Sequence, residues 1–466
     1  MRPSHRPSGF DSLSLFFILS LALIGLFMIY AVEYPDAGTL FRLPITTNFQ
    51  KQSLFVIVGG FLFLFVYLIE TRIWRSFAYP LYFFSLILLL AVALLGSTVK
   101  GSTSWFIIAG FSFQPSEFAK FTTTLALATY LSHYTTQLKQ ASDRWISIAV
   151  IFSPVLLILI QPDAGSALVF MMLFLVLLRA DLNPFYYLFA LLVLLTAIFS
   201  LQYEGAWVIS FVLFLAIFFL AYKQLQKTSW ILASIGTAAL CGVILYQTTS
   251  YWSLFPAVLL LLALSVTLGR QKQWATLIIL MLAVAFLISI STGTQYAFDQ
   301  WLKPHQKERI NAWLNPEACD PQGSLYNLLQ SQMAIGSGGF QGKGYLKGTM
   351  TQFDYVPEQS TDFIFSTVGE EFGFIGSFIV IVLCFGLIFR TLHMAEHMRT
   401  PFGTYYAYGL ASVFFFHVLI NIGMTMGLMP VIGIPLPFVS YGGSSILAFS
   451  LMFAFLLKLY SERRRT

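Results

Sequence analysis

Apolar residues in this chain neither alternate with polar ones nor keep to one helical face. They run on in blocks of about 17–25 residues, divided by short polar segments. A helix of that length crosses the hydrocarbon core of a bilayer, and it satisfies its own backbone there. About fourteen such helices fit, near 13–32, 52–69, 77–96, 115–132, 146–160, 165–180, 184–201, 207–222, 230–247, 252–268, 274–291, 363–389, 405–428 and 438–458. The expected fold is therefore an all-α polytopic membrane helix bundle. No small-residue cleavage site follows the first block, Leu13 to Val32, which reads as an uncleaved first helix.

The polar intervals carry a second pattern. With the N-terminus inside, the inner segments hold Arg2, Arg6, Arg72, Arg75, Lys139, Arg144, Arg179, Lys223, Lys227, Arg270, Lys272, Arg390, Arg399, Lys458, Arg463, Arg464 and Arg465. The short outer loops hold only Arg42, Lys51 and Lys100. This asymmetry predicts that both termini are cytoplasmic. It also makes the one long polar segment, about 292–362, an extracytoplasmic loop. A loop so long in a compact protein usually has a function.

Composition agrees: 58% of residues are hydrophobic and 10% charged, with a mean hydropathy of +0.78. The formal charge of +6 is scattered singly or in pairs between apolar runs, a pattern of topology that argues against nucleic acid as a partner. Cys241, Cys319 and Cys384 have no metal-ligand spacing. No internal repeat of the kind that builds inverted-repeat transporters is visible.

Five polar blocks carry candidate chemistry. In Gln114–Lys120, Pro115 suits the first turn of a helix, and Glu117 and Lys120 then share one face in or near the membrane. Ionised groups there are expensive, and they are either functional or a packing ion pair. In Gln161–Gly165, Asp163 either binds a cation or sugar hydroxyl or caps the next helix. In Asn315–Pro321, Asp320 either starts a turn or takes a proton from an attacking hydroxyl. The glycine-rich Gly336–Gly344 lacks the Walker spacing, which argues against a nucleotide. Its backbone and Lys343 either approach a phosphate or form a tight turn. In Pro435–Ser445, prolines stop one helix and glycines let the next pack closely, with Ser440 and Ser444 as polar contacts.

In order and spacing these blocks resemble the SEDS family of RodA, FtsW and SpoVE. The matching text is FQPSEFAK, QPDAGSAL, NPEACDPQG, QSQMAIGSGGFQGKG, STDFIFSTVGEEFG and GIPLPFVSYGGSS. The run GSGGFQGKGYLKGTMTQFDYVPE is nearer to RodA members than to FtsW members. The resemblance implies a core at 1–183 and 273–466, the latter with the catalytic loop 292–362. It leaves 184–272 as extra transmembrane helices beyond the family's usual ten. The basic residues common before Thr-Asp-Phe are replaced here by Gln359 and Ser360.

The resemblance further implies a peptidoglycan glycosyltransferase for cell elongation, with lipid II and a polyprenyl-diphosphate-linked glycan as substrates. A class B penicillin-binding protein is the implied transpeptidase partner, and the lipids of a bacterial inner membrane are implied around the bundle. Asp320 matches the family's catalytic aspartate, and Glu117, Lys120 and Asp163 match positions lining its central cavity. Lys343, Arg309, Lys100 or a divalent cation (Mg or Mn) are the candidates to stabilise the departing diphosphate. No nucleotide or redox cofactor is expected. The alternatives are a lipid II flippase, a division-specific polymerase of FtsW type, and a scaffold for the transpeptidase.

Overall fold

A computed structural model of the chain describes residues 11–33, 47–99, 101–108, 111–203, 208, 211, 236–237, 274–319 and 323–462. Two compact units result, one from Met1–Leu182 with Asp320–Thr466 and one from Asn183–Cys319. Lys100, Asp320 and the predicted helix 252–268 lie outside the described residues, as do nearly all of 207–222 and 230–247.

The larger unit opens with helices α1 (Ser12–Glu33), α2 (Asn48–Leu68), α3 (Thr71–Ser76) and α4 (Ala78–Leu95). A small antiparallel sheet follows, β1 (Ser97–Val99), β2 (Ser102–Ile108) and β3 (Phe111–Phe113), in the order β1-β2-β3. Ser97 pairs with Trp105, and Phe106 with Phe113. These strands amend the wholly helical expectation. Between two spans the backbone needs partners, and pairing in place supplies them.

Next come α5 (Pro115–Leu131), α6 (Ala141–Ile160), α7 (Ala164–Met171) and α8 (Phe174–Arg179). Together α7 and α8 make one apolar helical segment, Ala164–Arg179, close to the span expected at 165–180, with a break between them. Leu173 N–H donates to Phe170 O and Val176 N–H to Leu173 O, both at 3.0 Å, so the break is a tight i→i+3 turn.

The second unit contains α9 (Phe185–Gln202), α10 (Trp274–Gln300), α11 (Pro304–Leu314) and a 3₁₀ turn at Pro316–Ala318. Here α10 runs nine residues past the end predicted for it, so the loop begins later than expected.

The chain then returns to the larger unit with α12 (Ser324–Ser337), α13 (Thr349–Gln352), α14 (Ile364–Glu396), α15 (Pro401–Thr425) and α16 (Gly443–Glu462). Eight of the described helices are long and apolar enough to cross a membrane. In α15 and α16, 78% and 89% of the most apolar window is buried, against 17% in α2. The last two helices therefore form the middle of this unit, while α2 exposes Phe61, Leu64, Phe65 and Leu68 for lipid. Phe121, Tyr406, Phe414, Phe449, Phe453 and Phe455 fill the core, mostly in edge-to-face contact.

With 33 residues, α14 has more than the ~17–25 that one span needs. It is interrupted at Gly373, whose φ of 61° and ψ of −152° are not helical. The glycine-rich loop repairs that break. Phe374 N–H donates to Gly339 O at 2.9 Å and Ile375 N–H to Phe340 O at 3.3 Å. In return Lys343 N–H donates to Glu370 O at 3.0 Å and Gly344 N–H to Glu371 O at 2.9 Å. Four backbone groups freed by the kink are thereby satisfied across the loop. The turn alternative for this block is the one realised, since the N–H groups of Lys343 and Gly344 are already engaged.

Candidate active site

A buried polar cluster in the larger unit begins on α5. Pro115 occupies its first turn, where a missing N–H costs nothing, and Glu117 and Lys120 follow on one face. Both are buried, at 3% and 1% exposure. Lys120 Nζ donates to Glu117 Oε1 at 2.7 Å. It also lies 2.8 Å from Nε2 of His417 on α15 and 5.6 Å from the centre of the Phe449 ring on α16.

The tautomer of His417 follows from its other contact. Nδ1 lies 3.0 Å from Pro435 O, a carbonyl that only accepts. Nδ1 therefore carries the proton, and the Nε2 lone pair accepts from the Lys120 ammonium. One turn further along α15, Asn421 Nδ2 donates to Asp362 O at 2.9 Å and to Ile434 O at 2.8 Å. One face of α15 thus holds the 434–435 backbone and the entry to α14 in place.

This cluster keeps unused polar capacity. Glu117 Oε2, Ser116 Oγ, Thr123 Oγ1 and Asn421 Oδ1 are buried without a hydrogen-bond partner in the protein. Buried polar atoms are nearly always paired, so each of these four atoms on α5 and α15 has capacity for a further hydrogen bond.

Asp163 serves as the N-cap of α7. It accepts from Ser166 N–H at 3.0 Å, from Ser166 Oγ at 2.8 Å and from Gln114 Nε2 at 3.1 Å. The last bond ties it to the residue preceding α5. Ser440 Oγ accepts from Leu436 N–H at 2.9 Å and locks the Pro435–Ser440 turn. Ser444 Oγ accepts from Gln114 N–H and donates to Ser112 O, both at 3.1 Å, which joins α16 to the small sheet.

Lys343 is not a free cation. Its Nζ lies 2.6 Å from Glu370 Oε1 and 2.8 Å from Thr349 Oγ1, with its side chain 26% exposed. Glu370 is fully buried and also accepts from Met350 N–H, Thr351 N–H and Thr351 Oγ1 at 2.8, 2.9 and 2.7 Å. It holds the 343–351 segment against α14. Tyr345 lies in the same segment. Burial and the nearby Glu371 carboxyl push its hydroxyl up to about 12. Gln359 is held to Thr351 O at 2.9 Å and Asp354 Oδ1 at 3.0 Å.

Arg309 lies on α11 in the second unit. In that unit Cys319 is near Glu308, and burial first and that carboxylate second raise its thiol. Among the described residues no three His, Cys, Asp or Glu side chains gather in a way that would hold a metal ion. Sequence reasoning missed His417, Asn421, Glu370 and Glu371. Each is an ionisable or amide group inside a long apolar run, which was the available signal.

Comparison with known proteins bears on the whole chain. The family FtsW/RodA/SpoVE, described as cell cycle protein, matches residues 12–208 and 194–465. Peptidoglycan glycosyltransferase RodA of Treponema pallidum is 34% identical over 443 residues, 94% of each chain. Peptidoglycan glycosyltransferase MrdB of Escherichia coli is 28% identical over 454 residues, 97% of this chain and 94% of that one. Among solved structures, a chain of a peptidoglycan synthase complex that coordinates polymerization and crosslinking superposes with a TM-score of 0.61 at 22% identity, covering 98% of this chain and 99% of its own. Rod shape determining protein RodA of Thermus thermophilus gives 0.56 at 21% identity, covering 99% of each chain. A helical membrane bundle with this fold, matched along nearly its full length, belongs to the FtsW/RodA/SpoVE family.

Proposed function

We propose that this chain is a RodA-like peptidoglycan glycosyltransferase that polymerises lipid II into β-1,4 glycan strands during cell elongation. The observation that carries this reading is the full-length relationship to relatives named for that activity, with 34% identity to the Treponema protein. The larger unit supports it with a polar cluster built into an apolar bundle, which is what a membrane enzyme with a charged, lipid-linked substrate needs.

In the proposed reaction the 4-hydroxyl of the acceptor GlcNAc attacks the anomeric carbon of the donor glycan. A new C–O bond forms as the bond to the diphosphate breaks. The hydroxyl proton passes to the Asp320 carboxylate, and polyprenyl diphosphate departs. Charge on the leaving group calls for cations. Lys100, Arg309 and Lys343 are the candidates, and Lys343 is already paired with the Glu370 carboxylate. A divalent cation (Mg or Mn) is a further candidate for that role. Glu117 and Lys120 are proposed to seat polar substrate groups, with Asp163 and Ser440 supporting the surrounding backbone.

The finer topology belongs to the same proposal: about fourteen helices, cytoplasmic termini, and an extracytoplasmic loop. So does a class B penicillin-binding protein as partner. The relative within a complex that couples polymerization to crosslinking supports it.

Purified full-length protein incubated with lipid II tests the central claim. Glycan strands should form, and Asp320→Asn should reduce their synthesis by about 10²–10⁴-fold while the protein stays folded. Glu317→Gln is the control and should matter less. Asn also serves well in turns, so near-normal synthesis by Asp320→Asn would return the loop to a scaffold or transport role.

A further inference from the structure

We propose that His417 is a positioning residue for polymerisation, acting through Lys120. This inference rests on the polymerase reading, and it names a residue that the sequence motifs did not single out. His417 is 1% exposed and bridges two parts of the bundle. Its Nε2 accepts from Lys120 on α5, and its Nδ1–H donates to Pro435 O in the segment before α16.

The chemistry of Lys120 explains why such a partner is needed. An ammonium has three N–H donors and no acceptor, and in this interior each needs an electron-rich partner. Glu117 Oε1 takes one, the His417 lone pair takes a second, and the Phe449 face lies beside the charge. Phe449 also meets His417 edge-to-face, with ring centres 5.2 Å apart. Without the imidazole, the four-carbon stem of Lys120 swings toward whatever acceptor remains, and Glu117 moves with it. The ion pair would persist in a different place. A displacement of about 1 Å in a charged group costs on the order of 10²-fold in rate.

His417 does this without adding charge. Because Pro435 O fixes the proton on Nδ1, the ring offers Lys120 a neutral acceptor. The ion pair of Glu117 with Lys120 therefore stays electrically balanced. The same contact ties the pair to the turn that Ser440 locks. A shift at Pro435 would thus be felt at Lys120.

The test uses full-length protein and lipid II, with three variants and two readouts. His417→Leu removes both polar contacts and should lower kcat by about 10²-fold with a smaller change in KM. His417→Gln can accept through Oε1 and donate through Nε2, and it should restore most of the rate. Lys120→Met should be at least as damaging, and His417→Leu added to it should cost nothing more, because His417 acts only through Lys120. Full activity in a folded His417→Leu variant would overturn the proposal. So would additive losses, or a His417→Gln variant as inactive as His417→Leu.

The second readout does not depend on catalysis. Nitrogen-15 NMR of labelled histidine should show a His417 protonated at Nδ1, and its Nε2 signal should move in Lys120→Met. If wild-type protein makes no glycan while that signature persists, the polymerase reading fails and the contact stands. If the signature is absent, the positioning role itself is refuted.

Discussion

Replacing Gly342 by alanine puts a methyl group where backbone already lies. The added Cβ would sit 2.1 Å from Glu371 O and 2.5 Å from Phe372 Cα. Neither is the end of a flexible side chain, so the loop must move by about 1 Å to reach ordinary contact. That movement pulls Lys343 N–H from Glu370 O and Gly344 N–H from Glu371 O, two bonds of about 1 kcal/mol each. Gly342 also has a φ of +82°, which costs an L-residue about 1–2 kcal/mol. Together these give a loss of about 3–4 kcal/mol. Gly336 is the control, because a Cβ there meets nothing within 4 Å. Thermal unfolding in detergent and limited proteolysis across 338–352 would read the effect. Gly342→Ala should unfold earlier and be cut faster, while Gly336→Ala, inside α12, should match wild type or be slightly more stable. If the two variants agree within roughly 0.5 kcal/mol, the backbone exchange at the Gly373 kink does not secure the loop.

Lys343→Met should destabilise by about 3 kcal/mol, because it leaves the buried Glu370 carboxylate without its cation. Adding Glu370→Gln should recover part of that loss in the same melting assay, and no recovery would mean the pair is not coupled. Asp11 accepts from Arg390 Nε at 3.1 Å and from Ser14 N–H at 3.1 Å. Burial tends to raise its carboxyl, but these partners outweigh burial and hold it below the ordinary value. Its contribution should therefore be complete above the unfolded carboxylate value of about 3.9 and fade as pH falls through the folded one. The melting gap between wild type and Asp11→Asn should close on acidification, and a gap constant down to about pH 3 would contradict this. Excision of 184–272 with a short linker should leave polymerisation intact in a folded product, since all five motif blocks lie outside it. Loss of activity in such a product would make those helices part of the machinery.

Much of the protein was legible from the order of its residues. Apolar block length predicts spanning helices because lipid imposes one rule on every segment, and α1, α2, α4 and α6 follow it within a few residues. The arrangement Pro115, Glu117, Lys120 placed an ion pair on one helix face, since helical spacing alone brings residues three apart together. The capping role of Asp163 was likewise local. What lies far apart in the chain was not readable. His417 meets Lys120 across 297 positions, and no periodicity encodes that contact. The strands at 97–113 were hidden because short backbone pairing leaves little hydrophobic pattern. Glu370 stood inside an apolar run, and only the fold brings Lys343 and two backbone N–H groups to it. Gly336–Gly344 was ambiguous for the same reason. Glycines permit both a phosphate cradle and a close turn, and only the kink at Gly373, with four backbone groups to satisfy, selects the turn.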